Sequence, residues 1–234
     1  MSKTKKAVII GSVLVGIGVI IGFIGIAIGG FKFPNGAVDL TTMKALHAEK
    51  KTVQIADAFD KIEIAGASSM DIEICKSKTG KNYVEYYDTD DWTSHVDVKD
   101  HVLKFTTDDK GTHKAIVSLG FGKDTAARLY LADAEYKEIA VTTLSGYVTI
   151  QDVNAGTVNV SASSGDIDLE RCDAEGFDIT TSSGDVDMEI AAGRMYRFET
   201  KTNSGDVDVP DGDADSGYLC KIVTSSGDVD VKQK

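Results

Sequence analysis

Pairs of aspartates recur at a regular spacing in the C-terminal half of this 234-residue chain. Four segments read SASSGDIDLE, TSSGDVDMEI, KTNSGDVDVP and VTSSGDVDVK, and each holds two aspartates separated by one apolar residue. Stacked carboxylates can ligate a hard cation such as Ca²⁺, or act as the acid and base of a glycoside hydrolase. The candidate cation ligands are the second aspartates of the four segments, Asp168, Asp187, Asp208 and Asp230.

The first aspartate of each segment directly follows a glycine, which predicts a role in a turn. A short carboxylate at such a corner can accept hydrogen bonds from backbone N–H groups. The second aspartate would then stand on a strand, where neighbouring like charges cost about 1 kcal/mol per pair when solvated. A solvated face is the favoured interpretation and weak Ca²⁺ binding is the alternative, because the calcium-binding solenoid motif G-G-x-G-x-D-x-U-x does not occur.

The elements that position these aspartates are predicted by an internal repeat. Its corner glycines are separated by 19, 19, 21 and 22 residues. Apolar residues occupy the second and fourth positions after nearly every glycine, and the fifth and seventh positions before it. This alternation predicts two short strands per repeat, whose apolar faces are buried only when the repeats stack. The predicted fold is all-β, a parallel β-solenoid of the single-stranded β-helix type. The corner glycines are Gly146, Gly165, Gly184, Gly205 and Gly227.

Residues 59–234 are predicted to form the solenoid domain, with a first degenerate coil at FDKIEIAGASSMDIEI and regular coils over 136–234. Residues 75–135 are predicted to be a β-strand insert, with a two-residue turn at Lys99–Asp100. Lys232 and Lys234 are expected to protect the open edge of the last coil.

The insert also carries an aromatic group that is a candidate interaction site. It consists of Trp92, Tyr86 and Tyr87. Packing of these rings over the end of the solenoid is favoured, and recognition of a ligand is the alternative.

Residues 7–31 are 25 consecutive positions without a charge. A helix of that length spans about 38 Å, enough to cross a hydrocarbon core of about 30 Å. We therefore predict a cytoplasmic tail over residues 1–6, a single transmembrane helix over 7–31, and a stalk with one short helix over 32–58. The lysines before the apolar run place the N-terminus in the cytoplasm and the C-terminal domain outside. A cleaved signal peptide is the alternative.

Small residues in the apolar run would allow two such helices to pack closely and form a homodimer face. They are Gly18, Gly22, Gly25 and Gly29. The favoured interpretation is that glycine is simply common in membrane helices.

The net charge excludes one class of partner. Beyond residue 31 the chain carries 37 acidic residues against 22 lysines and arginines, a formal charge of −15. Such a surface repels phosphate backbones, so nucleic acid is not an expected partner. Three cysteines without a C-x-x-C pair predict neither a disulfide framework nor a zinc site. Cys220 takes an inward position in its repeat and is predicted to be a buried hydrophobe.

The combination of an N-terminal apolar segment, "FDKIEI", "ARLYLADAEYKEIAVTTLSGYVTI" and serial "SSGDVDV" corners resembles the adhesin-like family of unknown function that includes LiaG-like proteins of Gram-positive envelope-stress operons. The resemblance covers about residues 55–234. It implies a membrane-anchored extracytoplasmic β-solenoid and brings no catalytic motif. One departure is Ala132, where a proline is expected.

The expected function is therefore that of a non-catalytic cell-membrane protein whose acidic solenoid binds envelope components. Its partner would be an envelope polymer, a membrane protein or a second copy of itself, without a cofactor other than Ca²⁺. The alternative is an accessory protein of an envelope-stress sensor that acts through its membrane helix. A polysaccharide-active enzyme is least favoured, because no coil interrupts the regular ladder with an unusual cluster. The histidines are scattered and form no catalytic signature.

Overall fold

The computed structural model describes residues 37–39, 44–45, 48–66, 70–89, 92–109, 116–118, 126–132 and 135–234. Within these ranges the chain is all-β, with nineteen strands and no helix, as predicted. The strands are β1 (Ala37–Asp39), β2 (Lys44–Ala45), β3 (Ala48–Ile55), β4 (Lys61–Ala65), β5 (Ile72–Lys76), β6 (Asn82–Thr89), β7 (Trp92–Lys99), β8 (Val102–Asp109), β9 (Ile116–Ser118), β10 (Ala127–Leu131), β11 (Glu135–Ser145), β12 (Val148–Gln151), β13 (Asn154–Ser164), β14 (Ile167–Thr180), β15 (Val186–Ile190), β16 (Tyr196–Lys201), β17 (Val207–Asp208), β18 (Tyr218–Val223) and β19 (Val229–Gln233).

Two layers of strands face each other across the core, and each coil contributes one strand to each layer. The first layer includes the strands that precede a corner, and its order is β7-β8-β4-β11-β13-β14-β18-β16. The second layer includes the strands that follow a corner, and its order is β3-β6-β10-β5-β12-β14-β15-β19-β17. The long strand β14 belongs to both layers. Strands β1, β2 and β9 form a separate three-stranded sheet.

Successive coils pair in parallel and in register, which confirms the predicted stacking. In the second layer Val148 lies opposite Ile167, and Ile167 lies opposite Val186. All three side chains are fully buried. Alternation with period two sends these residues inward and their polar neighbours outward. The core is therefore a continuous apolar column between the layers.

The last two coils do not stack in sequence order, and here the expected succession is wrong. Strand β18 lies between β14 and β16, and β19 lies between β15 and β17. The coil built from β18 and β19 is therefore interior, and the coil built from β16 and β17 is the end coil. Lys232 and Lys234 consequently do not protect an open edge. Lys232 Nζ binds Asp230, at 2.9 Å, and Lys234 Nζ binds Glu189, at 2.7 Å.

Two residues of the end coil explain its place at the edge. Pro210 occupies the position that Lys232 takes in the neighbouring coil, and proline cannot donate a ladder hydrogen bond. Thr200 occupies the column position of Ile222, which is fully buried. A polar residue in the column is least costly at an edge, and the proline limits β17 to Val207–Asp208.

Antiparallel strands cap the other end. Strand β8 is parallel to β4, β7 is antiparallel to β8, and β6 and β3 continue the second layer in antiparallel pairing. Residues 48–55, within the predicted stalk, are thus a strand, and the short helix predicted for the stalk does not lie there. The turn between β7 and β8 is Asp100–His101, one residue later than predicted. Its φ angles of 52° and 63° fit a two-residue hairpin turn.

No described helix is long and apolar enough to cross a bilayer. The predicted transmembrane helix over residues 7–31 lies outside the described residues, as does its glycine face.

Candidate binding face

The structure places the four predicted candidate ligands in one column on the outward side of the second layer. We call this column, Asp168–Asp187–Asp230–Asp208, the acidic face. Asp168 lies opposite Asp187, which lies opposite Asp230, which in turn lies opposite Asp208. The sequence predicts the members of this column and misses their order, because the last two coils change places.

Only Asp230 of the acidic face forms an ion pair within the described residues, although the charge of Lys232 also acts on Asp187. Burial, followed by the charges of Glu170 and Asp187, raises the pKa of Asp168. Burial, followed chiefly by the charge of Asp230, also raises the pKa of Asp187. Asp230, in contrast, is paired with Lys232. A cation placed beside Asp168 and Asp187 would therefore relieve an existing repulsion.

A shallow groove of about 250 Å³ runs along the acidic face. Basic side chains at its rim are each bound to a carboxylate. Arg171 contacts Asp152 through Nε and Nη2, at 2.7 and 3.0 Å, and Glu170 through Nη1, at 3.2 Å. Lys232 and Lys234 are held in the same way by Asp230 and Glu189. The groove thus has an acidic floor and a neutralised rim.

The carboxylates of the acidic face stand in line along the coils. In the part of the chain that the structure describes, no three or more His, Cys, Asp or Glu side chains converge on a common centre suited to a metal ion. Ca²⁺ normally collects several oxygen ligands around one point. Weak Ca²⁺ binding by this column therefore stays a prediction.

A second column of aspartates lies at the corners and holds neighbouring coils together. The Oδ1 atom of Asp166 accepts a hydrogen bond from the N–H of Asp185, at 2.9 Å, and that of Asp185 accepts from Asp228, at 2.8 Å. Asp228 in turn accepts from the N–H of Asp206, at 2.8 Å. The predicted turn role is thus confirmed for these residues, and the N–H that each carboxylate binds belongs to the next coil.

The corner glycines allow the coils to approach this closely. Gly184 has a φ of +146°, and a Cβ atom placed there would lie 2.2 Å from the carbonyl oxygen of Gly165. No side chain fits that space, and few residues other than glycine adopt that φ. The repeated Ser-Gly-Asp sequence is therefore required by the backbone of the corner.

The predicted aromatic site is mainly a packing cluster. Tyr86 is buried in the core, where its ring meets Phe105 edge-on at 5.6 Å. Trp92 is half-buried, and its Nε1–H donates to the carbonyl oxygen of Tyr87, at 3.1 Å. In this structure the Tyr86 ring is not accessible to a partner, whereas Trp92 and Tyr87 are partly exposed.

Sequence reasoning missed an exposed apolar pair at the corner of the coil built from β11 and β12. Leu144 and Tyr147 are each 58% exposed. They replace the Ser and Asp that flank the Ser-Gly pair in other corners, and this departure from the repeat is the signal that could have identified them.

The chain is similar to one protein family and to several solved structures. The family profile described as Toastrack DUF4097 matches residues 59–234. A "putative cell adhesion protein" of Clostridium sporogenes has a TM-score of 0.60 at 16% identity, over 81% of this chain and 100% of that one. A "putative adhesin" of Bacteroides fragilis has a TM-score of 0.37 at 14% identity, over 80% of this chain and 97% of that one. No curated protein matches the chain.

Proposed function

This chain belongs to the Toastrack family, DUF4097, and from that premise we propose that it is a membrane-anchored, non-catalytic binding protein of the cell envelope. The apolar run over residues 7–31 would be its anchor. The solenoid would lie outside the membrane and present the acidic face to a partner that carries positive charge.

The observation that carries this proposal is the pair Asp168 and Asp187 at the centre of the acidic face. Their carboxylates are adjacent and partly desolvated, and neither forms an ion pair among the described residues; the charge of Lys232 offsets only part of the effect of burial and neighbouring acids on Asp187. An ammonium or guanidinium group in the groove would supply the missing counter-charge. Cationic groups of an envelope polymer or of a membrane protein have this chemistry.

The regularity of the coils favours binding over catalysis. Acid–base catalysis uses groups whose environments differ, so that one is protonated while the other is ionised. Asp168 and Asp187 have raised pKa values for the same two reasons, burial and neighbouring acids. A ladder of similar groups suits a repetitive cationic ligand better than a single reacting bond.

The test uses the full chain in lipid nanodiscs, with poly-L-lysine and purified cell-wall material as probes. Wild type should bind both, and a variant with the four substitutions Asp168→Asn, Asp187→Asn, Asp208→Asn and Asp230→Asn should bind at least about tenfold more weakly. Binding should weaken as salt is added. Parallel titrations with and without Ca²⁺ examine the cation prediction.

A control variant makes the same change in charge elsewhere on the solenoid. Asp57→Asn, Asp97→Asn, Glu135→Gln and Glu175→Gln alter exposed acids away from the acidic face. This control should keep wild-type affinity. Equal loss in both variants would mean that net charge alone attracts the probes, and an unchanged affinity in the first variant would refute the assignment.

A further inference from the structure

The end coil leaves one edge of each layer without a neighbour, and we propose that it is a docking site for an extended, basic segment of a partner protein, bound by β-strand addition. Strand β16 pairs only with β18, and β17 pairs only with β19, among the strands that the structure describes. Exposed strand edges of this kind bind extended peptides through the backbone.

The direction of the backbone N–H and C=O groups of β16 and β17 shows which of them are available to pair with an added strand. The carbonyl oxygen of Asp206 accepts from the N–H of Val229, at 2.9 Å, and that of Lys201 accepts from Thr224, also at 2.9 Å. Alternate residues of a paired strand face the same neighbour. Val207 and Thr200 therefore turn their N–H and C=O groups to the unoccupied side.

The apolar column also ends uncovered at this coil. Val207 is 42% exposed, whereas Val229 and Val186, at the same position of the two preceding coils, are 1% and 0% exposed. Phe198 and Val209 are only partly buried. An added strand with apolar residues on one side would extend the column by one layer.

The corner aspartate of the end coil is a hydrogen-bond acceptor without a donor from another coil in the described part of the chain, whereas the equivalent aspartates of other coils already bind a backbone N–H. Asp166, Asp185 and Asp228 each bind the backbone N–H of the next coil. Asp206 occupies the same position, and no coil follows it among the described residues. Its carboxylate is placed to accept an N–H from an incoming chain.

Part of the edge is already covered by the loop over residues 209–217. The N–H of Asp213 donates to the carbonyl oxygen of Tyr196, at 2.9 Å, and Ser216 Oγ donates to that of Met195, at 2.5 Å. The loop therefore occupies the beginning of β16. The docking site is limited to the second half of β16 together with β17.

The negative charge of the end coil determines which kind of segment can bind at its edge. Residues 199–215 hold six acidic residues and a single lysine, Lys201. A second copy of the same end would bring these acids against one another, which disfavours self-association. A strand that alternates apolar residues with lysine or arginine complements both the column and the charge. The acidic residues are Glu199, Asp206, Asp208, Asp211, Asp213 and Asp215.

The experiment measures fluorescence anisotropy of a labelled, blocked (Lys-Val)₄ peptide with the full chain in nanodiscs. Val207→Pro removes an N–H that faces away from the neighbouring strand, so the fold should be kept and binding should fall at least about tenfold. Asp211→Lys with Asp215→Lys reverses two exposed charges and should weaken binding comparably. Its matched control, Asp57→Lys with Asp97→Lys, should bind as wild type does.

Two further arms separate this site from the acidic face. A peptide with N-methylated backbone nitrogens should bind weakly, because strand addition needs its donors. In the background of Asp168→Asn, Asp187→Asn and Asp230→Asn, which removes binding at the acidic face, the peptide should still bind, and Val207→Pro or the Asp211/Asp215 reversal should still weaken that binding. The proposal is overturned if the peptide does not bind in this background, if Val207→Pro and the Asp211/Asp215 reversal leave its binding there unchanged, if the N-methylated peptide binds equally well, or if the protein instead dimerises through this end.

Discussion

The carboxylate of Asp166 accepts the backbone N–H of Asp185 across the boundary between two coils, at 2.9 Å. The two aspartates are nineteen residues apart in sequence and occupy the same corner position. Asp185 in turn accepts the N–H of Asp228, so it is an acceptor for one neighbouring coil and a donor, through its backbone, to the other. The repeated aspartate is one reason why the coils hold their register.

Replacement of Asp185 by alanine should destabilise the protein by about 1–2 kcal/mol, because the N–H of Asp228 loses a charge-assisted bond. Asp185→Asn keeps an oxygen acceptor and should recover most of the loss. Urea unfolding of the three proteins measures the difference. Asp168→Ala is the matched control, since no backbone N–H donates to its carboxylate among the described residues, and a similar loss there would contradict the assigned role of the corner.

Gly184→Ala should destabilise the protein by at least about 3 kcal/mol, since the new Cβ would lie 2.2 Å from the carbonyl oxygen of Gly165 and the two coils would have to separate. Gly193→Ala is the control. Gly193 also has a positive φ, of +116°, yet nothing lies within 4 Å of the point that an added methyl group would occupy. That variant should lose only about 1 kcal/mol, from backbone strain. Equal thermal shifts in the two variants would refute the role given to close approach.

Asp168→Asn should stabilise the protein by about 0.5–1 kcal/mol at pH 7. The pKa of Asp168 is raised in the folded state by burial and by neighbouring acids. Its ionised form is thus disfavoured there, and the cost is present above the folded pKa. As the pH falls toward the ordinary aspartate value of about 4, wild type takes up a proton on folding and the advantage of the variant should shrink. Urea unfolding at pH 7 and pH 4 checks this.

The control for that measurement is Asp178→Asn. Asp178 is bound by Lys221 Nζ, at 3.0 Å, so the amide should not stabilise at pH 7. A stabilisation of Asp178→Asn equal to that of Asp168→Asn would attribute the effect to net charge.

Cys172 and Cys220 should resist alkylation in the folded protein. Burial raises the pKa of each thiol to about 12, so almost no thiolate is present at pH 8. Cys75 is half-buried, and burial raises its pKa as well. Iodoacetamide should add slowly at Cys75 alone, and at all three cysteines in urea. Rapid labelling of Cys220 without denaturant, seen by mass spectrometry, would contradict its place in the column.

The coil register was predictable because one period governs both its apolar and its polar positions. The order of the last two coils was not, since their corners, NSGDVDV and SSGDVDV, are almost the same and either could stack on the coil before. Thr200 and Pro210 were the signals that distinguish them. Thr200 costs less in a coil that has one neighbour than in a coil that has two, and Pro210 limits the second strand of its coil to two residues.

The acidic face was predictable in its members for the same reason, as alternation alone decides which side a residue faces. Its rim was not. Arg171 has a φ of 52°, and this left-handed conformation directs its side chain back to Asp152 of the preceding coil. Such a contact depends on the corner opposite the glycines, which carries no repeated sequence. Packing was the favoured prediction for the aromatic group, but an alternating aromatic run does not state which of its residues face inward, so the burial of Tyr86 in particular was not predictable.

The interior position of β18 and β19 has a consequence for how the molecule is completed during synthesis. A ribosome releases the residues of β16 and β17 first, before the strands on which they will rest exist. Strands β16 and β17 cannot take their final places until β18 and β19 have been synthesised. The later strands must then insert between them and the coil of β14 and β15. A stop codon just before Tyr218 would thus remove one coil and also deprive the coil of β16 and β17 of its neighbour, where a strictly serial stack would lose only the coil removed.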